Sequence, residues 1–184
     1  MTTFYTCNGD GGKSRVWSKD LLKDDILFQL LGGLDELNSW LGLCRSGAGR
    51  NRKLKEVALI LKDIQQSLFV IQAEVAAIGS GNKPRVKISA GRTEVMEKII
   101  DGINLKLPPI KKFIIPGGSE LSAQIDIARA MARRIERMAI TFSRKNKLRP
   151  ELLKYLNRLS GMIFALARLV NYKLKIKEEN PSYK

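Results

Sequence analysis

The sequence predicts an all-α protein, a five-helix antiparallel bundle, on three observations. Apolar residues recur in alternating steps of three and four over most of the 184 residues. Gly and Pro gather in short clusters between the periodic stretches, and almost nothing shows the period of two that a half-buried strand requires. Short connections between such helices leave neighbours antiparallel.

The helices follow in order after a glycine-rich opening over residues 1–24. Ile26, Leu30, Leu34, Leu37, Leu41 and Cys44 mark a first amphipathic helix, expected to break at Ser46-Gly47-Ala48-Gly49. Leu54, Val57, Leu61, Ile64, Leu68, Ile71, Val75 and Ile78 form a second seam, ended by Gly79, Gly81, Asn82 and Pro84. A weaker third helix runs from about Ala90 to Lys106, with Ser89 as N-cap, and closes at Pro108-Pro109. The fourth begins after Pro116-Gly117-Gly118, where Ser119 can cap it, and continues to about Lys145. Its apolar stripe is Leu121, Ile125, Ala128, Ala132, Ile135 and Ala139, while Arg129, Arg133 and Arg137 recur one turn apart along another face. Pro150 starts the fifth, in which Leu152, Leu156, Leu159, Ile163, Leu166 and Val170 face the core. One domain is expected over 1–184, with the bundle at 25–172 and a charged tail at 173–184 that should fray.

Composition restricts the chemistry. With 33 Lys+Arg against 18 Asp+Glu, the formal charge of +15 favours phosphates, nucleic acid or acidic surfaces as partners. There is no histidine, hence no imidazole base and no imidazole metal ligand. Cys7 and Cys44 are too few for a disulfide framework or a zinc site; with a polar amino terminus, they point to a cytoplasmic protein. No stretch approaches the roughly 20 apolar residues of a membrane span.

The polar motifs are individually weak. Thr6 to Ser14 crowds glycines, a lysine and hydroxyls into a loop whose backbone N–H groups can close on phosphate oxygens. Gly12-Lys13-Ser14 imitates the end of a P-loop, but Cys7 stands where that motif needs glycine, which excludes it. Asp35, Glu36 and Asn38 share one turn of the first helix, from which a carboxylate could pair with an arginine of the fourth. Asn157 and Arg158 stand on the fifth helix, open to a partner or ligand.

Taken in order, TCNGDGGKS, GGLDELNSWLG, KKFIIPGGSELSAQIDIARAMARRIER and YLNRLSGMIFALARLVN resemble the signature blocks of the PduO-type ATP:corrinoid adenosyltransferases, from Tyr5 to about Asn171. The resemblance implies a cobalamin adenosyltransferase-like bundle, a homotrimer with sites at subunit interfaces, and attack of corrinoid Co(I) on C5′ of ATP with loss of triphosphate. It assigns Thr6, Asn8, Gly9, Asp10, Gly12, Lys13 and Ser14 to an ATP loop, with Lys19 and Lys23 adding charge. It brings Arg133, Arg134, Glu136, Arg137 and Asn157 to the nucleotide from a neighbouring subunit. Arg129 is expected to pair with Asp35 beneath the corrin. Phe113 is expected to fill the lower face of the corrin, leaving a four-coordinate cobalt that is easier to reduce, although an aromatic there could equally be core. Arg133, Arg129, Asp35 and Phe113 would thus carry the catalysis. Mg2+ is expected mainly on the ATP phosphates, and a handover of product to an adenosylcobalamin-dependent enzyme is expected as well.

The pattern departs from the family at Asp126, where many relatives carry histidine, and at Cys7, where a basic residue is common. Two other readings remain open: an inactive nucleotide-binding regulator of the same fold, and a basic helical nucleic-acid-binding protein. The second lacks any recognisable nucleic-acid motif.

Overall fold

The periodic stretches become five helices: α1 Ile26–Gly49, α2 Lys55–Gly79, α3 Ala90–Asn104, α4 Glu120–Asn146 and α5 Pro150–Leu174. The computed structural model describes Tyr5 and residues 7–183. α1 packs on α2 and α4, and α5 on α4 and α3, so α4 lies at the centre of the packing order α2-α1-α4-α5-α3. Glu36 meets Arg134 while the Trp40 indole N–H donates to the Gln124 carbonyl, a descending register that makes α1 and α4 antiparallel.

The predicted seams are the core. Leu30, Leu34, Leu37 and Leu41 of α1 and Leu159, Ile163, Leu166 and Val170 of α5 are fully buried. Truncating any of these leucines to alanine should cost about 2–5 kcal/mol through lost transfer energy and an unfilled cavity. α1 ends at Gly49, within the expected break, and Gly47 inside its last turn allows close packing of α4, since a Cβ there would lie 3.3 Å from the Leu121 side chain.

α4 starts where the sequence placed it, through a capping box. The Ser122 amide donates to the Ser119 hydroxyl at 3.1 Å, and the Ser119 amide donates to the Ser122 hydroxyl at 3.0 Å. Ser89 does lie at the N-cap of α3 but makes no side-chain capping bond. Beyond the helices, the carboxylate of Glu74 is wholly buried on α2 and receives Arg149 at 2.6 Å and the Ile88 amide at 2.9 Å. That cluster ties α2 to both the loop before α3 and the turn before α5.

Two regions correct the sequence reading. Residues 13–22 form a β-hairpin, β1 Lys13–Val16 against β2 Lys19–Leu22, antiparallel with Lys13 opposite Leu22. Its strands are short and mostly exposed, so no apolar alternation announces them. Its two-residue turn places Trp17 at φ 56°, without the Asn-Gly or Asp-Gly pair that usually signals such a turn. The tail, expected to fray, instead turns back at Lys175 (φ 60°). The Ile176 amide donates to the Asn171 carbonyl at 2.9 Å, a Schellman-type closure of α5. From there the tail runs along the segment that precedes α4.

Candidate active site

Two concavities hold eight of the residues picked out in the sequence: Phe113, Arg129 and Arg133 in one, and Asn8, Gly9, Lys13, Ser14 and Lys23 in the other. The first is a groove of about 680 Å³ bounded by Ile110 to Ile114, by Arg129 and Arg133 of α4, and by Ser160, Gly161 and Phe164 of α5. Helical spacing explains its two walls: Arg129 and Arg133 stand one turn apart on α4, and Gly161 and Phe164 share a face of α5. Phe113 is 78% exposed at the mouth, so it is no core residue. Set beside Ile110, Ile114 and Phe164 in the same groove, the exposed ring leaves an apolar surface for a ligand.

Within one chain Arg129 does not meet Asp35, so the pairing expected from the resemblance is not made inside a single copy. Its Nε lies 3.1 Å from Asp126, one turn back on α4, and its guanidinium sits 6.0 Å from the centre of the Phe164 ring. Asp35 lies exposed on α1. Within one chain the α1 residue that meets α4 there is Glu36, whose carboxylate takes Arg134. A carboxylate of this turn does therefore pair with an arginine of α4, through a different pair of residues.

Farther along α4 the polar residues are linked to one another. Asn157 Nδ2 donates to Glu136 at 2.6 Å, Arg158 donates to Asn157 Oδ1 at 2.5 Å, and Arg158 also reaches Glu97 of α3 at 2.9 Å. Glu97 is held below its usual carboxylate range, first by the hydrogen bond from Arg158 and then by Lys154, so the relay stays charged. Arg137 leaves the arginine row and donates to the Arg133 carbonyl at 3.2 Å. Only Arg129 and Arg133 of that row reach the groove.

The second concavity, about 670 Å³, is a polar basin lined by Asn8, Gly9, Lys13, Ser14, Arg15, Asp20 and Lys23. The hairpin builds it. Turn bonds from the Asp10 amide to Cys7 and from the Gly12 amide to Gly9 curl the loop, and the Lys23 amide donates to Gly12 at 3.0 Å. Gly9 lies against the Lys23 ammonium, and a Cβ there, 2.9 Å from it, would displace that flexible side chain. Arg15 and Asp20 bond across the strands at 2.8 Å. Asp20 sits below its ordinary range because of that bond, and the Arg15 guanidinium is raised in turn.

Asp10, Gly12 and Lys19 belong to this loop region without lining the basin; Lys19 lies 3.4 Å from the Gly79 carbonyl and anchors the hairpin to the end of α2. Thr6 lies outside the described residues. The sequence reading missed Ile110, Ile114 and Phe164 as groove walls, because apolar residues carry no signal that separates ligand contact from core. It also missed Asp20, whose importance depends on a strand pairing it did not foresee.

Similarity to known proteins covers both concavities. The cobalamin adenosyltransferase family profile matches residues 4–170. A corrinoid adenosyltransferase of Citrobacter freundii is 36% identical over 171 residues, covering 92% of this chain and 95% of its own length. One from Bacillus subtilis is 32% identical over 167 residues, covering 91% and 86% respectively. A solved variant of the PduO-type ATP:corrinoid adenosyltransferase from Lactobacillus reuteri, complexed with cobalamin and ATP, superposes with a TM-score of 0.89 at 32% identity. The alignment covers 97% of this chain and 99% of that one. Since the match runs through the loop that shapes the basin as well as the helices that wall the groove, this chain belongs to the cobalamin adenosyltransferase family.

Proposed function

We propose that the protein transfers the 5′-deoxyadenosyl group of ATP to the Co(I) of a reduced corrinoid. The cobalt electron pair forms the Co–C bond at C5′, the C5′–O bond breaks, and triphosphate departs with that bond's electrons. The observation that carries this reading is the pairing, in a chain of this family, of an apolar groove rimmed by arginines with a separate basin of lysines and backbone amides. A flat, largely apolar macrocycle suits the first, and a polyanionic leaving group the second.

Each residue then has a task. Phe113, exposed at the groove mouth, covers the lower face of the corrin, excludes the axial base and water, and so favours four-coordinate cobalt. Arg129, held by Asp126 and by the Phe164 face, supports the corrin from the groove wall, with Asp35 reaching it from another copy. The loop Thr6 to Ser14, with Asn8, Gly9, Asp10, Gly12 and Lys13, wraps the triphosphate, and Lys19 and Lys23 add positive potential. Arg133, Arg134, Arg137, Glu136 and Asn157 complete the nucleotide site. A nucleophile as strong as Co(I) needs no protein base to activate it.

Basin and groove share no lining residue within one chain, which supports a nucleotide held between Arg133 of one copy and the loop of another. A homotrimer supplies it, and Leu43, Ile127 and Ile140, each close to half exposed on α1 and α4, are apolar surface for such an interface. Among the described residues no group of three carboxylate or thiol side chains could hold a metal. Magnesium is accordingly read as part of the MgATP substrate, carried by its phosphates. No described helix is long and apolar enough to cross a membrane, and the thiols of Cys7 and Cys44 are free, which suits the cytoplasm. The product would pass to an enzyme that uses adenosylcobalamin.

The test is an anaerobic spectroscopic assay with ATP, Mg2+ and chemically reduced cobalamin. Formation of the Co–C bond is expected. Binding of both substrates without bond formation would instead identify an inactive regulator of the same fold.

A further inference from the structure

We propose that the C-terminal tail is a strap that sets the position of Phe113, with Glu178 and Asn180 as positioning residues for the corrinoid side of the reaction. The proposal rests on the function just proposed, and its argument begins with a buried charge. Arg168 of α5 is 6% exposed, and a guanidinium withdrawn from water to that degree needs a counter-charge. Glu178 supplies it through a two-pronged contact, with Nε 2.9 Å from Oε1 and Nη2 2.9 Å from Oε2. The same guanidinium donates to the Pro108 carbonyl at 3.0 Å, at the start of the segment that carries Phe113. One buried arginine therefore fastens both the tail and the foot of the loop to the bundle.

The tail then grips the loop directly. The Ile115 amide donates to the Glu179 carbonyl at 2.9 Å, and the Asn180 side-chain amide donates to the carbonyl of Phe113 itself at 2.7 Å. The far end of the loop is anchored as well, because Asn171 donates to the Gly117 carbonyl at 3.1 Å. Gly118 (φ 91°) leaves room there, since a Cβ would sit 2.8 Å from the Asn171 side chain. The 108–118 segment, with no helix or strand of its own, is thus bonded at its start, middle and end. A mobile loop would lose conformational freedom on binding a corrinoid; a strapped one has lost it already. Asn180 is exposed and stands outside the buried core, which makes it a residue whose removal separates positioning from folding.

Asn180→Ala and Glu178→Gln are the variants, with Glu178→Asp as the conservative rescue. Hydrogen exchange of the protein without substrates comes first: amides of 108–118 should exchange about tenfold faster in Asn180→Ala, with the rest of the bundle unchanged. In turnover, the corrinoid KM should rise about tenfold in both variants while the ATP KM stays put, with the four-coordinate Co(II) signal diminished and Glu178→Asp restoring part of it. Unchanged exchange in 108–118, or an unchanged corrinoid KM and Co(II) signal in Asn180→Ala, would overturn the strap. So would a rise of both KM values together with a fall in Tm in that variant. Failure of the wild-type protein to form a Co–C bond would instead defeat the function, while the exchange result would still judge the strap.

Discussion

The groove around Phe113 and the basin around Lys13 are built by opposite means. The groove stands on two long helices and on a loop fastened to a buried arginine, whereas the basin hangs on a hairpin of two four-residue strands whose cross-strand ion pair is 69% and 51% exposed. Exposed pairs of that kind contribute little to stability, so the hairpin can adjust at low cost. A rigid macrocycle is best met by an apolar wall already in place. A flexible triphosphate is better met by mobile cations and N–H donors that close around it. On the function proposed, the stiffer end takes the corrin and the softer end the triphosphate.

Substitutions at the two ends should separate accordingly. The largest effect is expected for Arg133→Ala, which removes a guanidinium from the developing charge of the leaving group: kcat should fall by about 100-fold or more. A near-normal rate would take Arg133 out of the nucleotide site and leave it to the groove alone. Phe113→Ala should come next. Because the ring is largely exposed, Tm and ATP binding should hold, while the four-coordinate Co(II) signal is lost. An unchanged signal would deny the groove its part in setting cobalt coordination.

At the basin, Lys13→Ala should raise the ATP KM by roughly tenfold, the scale of one charged contact, without moving the corrinoid KM. Equal movement of both would merge the two sites. The smallest effect concerns pH. Asp20 titrates below its ordinary range in the fold because Arg15 donates hydrogen bonds to it, so its contribution is present above that range and lost as pH falls through the lowered value. Amide shifts of residues 13–22, followed by NMR below about pH 4, should report the hairpin loosening before the helices respond. Simultaneous loss of helix signals would mean that hairpin and bundle are coupled.

How far the sequence revealed these ends differs in the same way. Periodic leucines and isoleucines locate helices because a helix repeats its environment every three or four residues, and the cap at Ser119 is read from local chemistry. The segment carrying Phe113 and the row of Arg129 and Arg133 stand out in the sequence too, since charge and aromatic content are visible without coordinates. The hairpin was not legible: strands as short as Lys13–Val16 carry too few positions for a pattern. The tail looked polar and therefore loose, although its polarity is what bonds it to the loop.

The sequence by itself determined the helices, their apolar faces, the short connections that force them antiparallel and the identity of the charged groups available for chemistry. Each of these depends on neighbours within a few residues. Only the tertiary structure decided the pairings: Arg134 with Glu36, Arg129 with Asp126, Arg168 with Glu178, and Asn180 with the backbone of Phe113. Long charged side chains accept many partners of suitable sign. Which one they take depends on how far each helix is rotated and shifted by packing, information shared among residues up to about a hundred positions apart, as with Glu36 and Arg134.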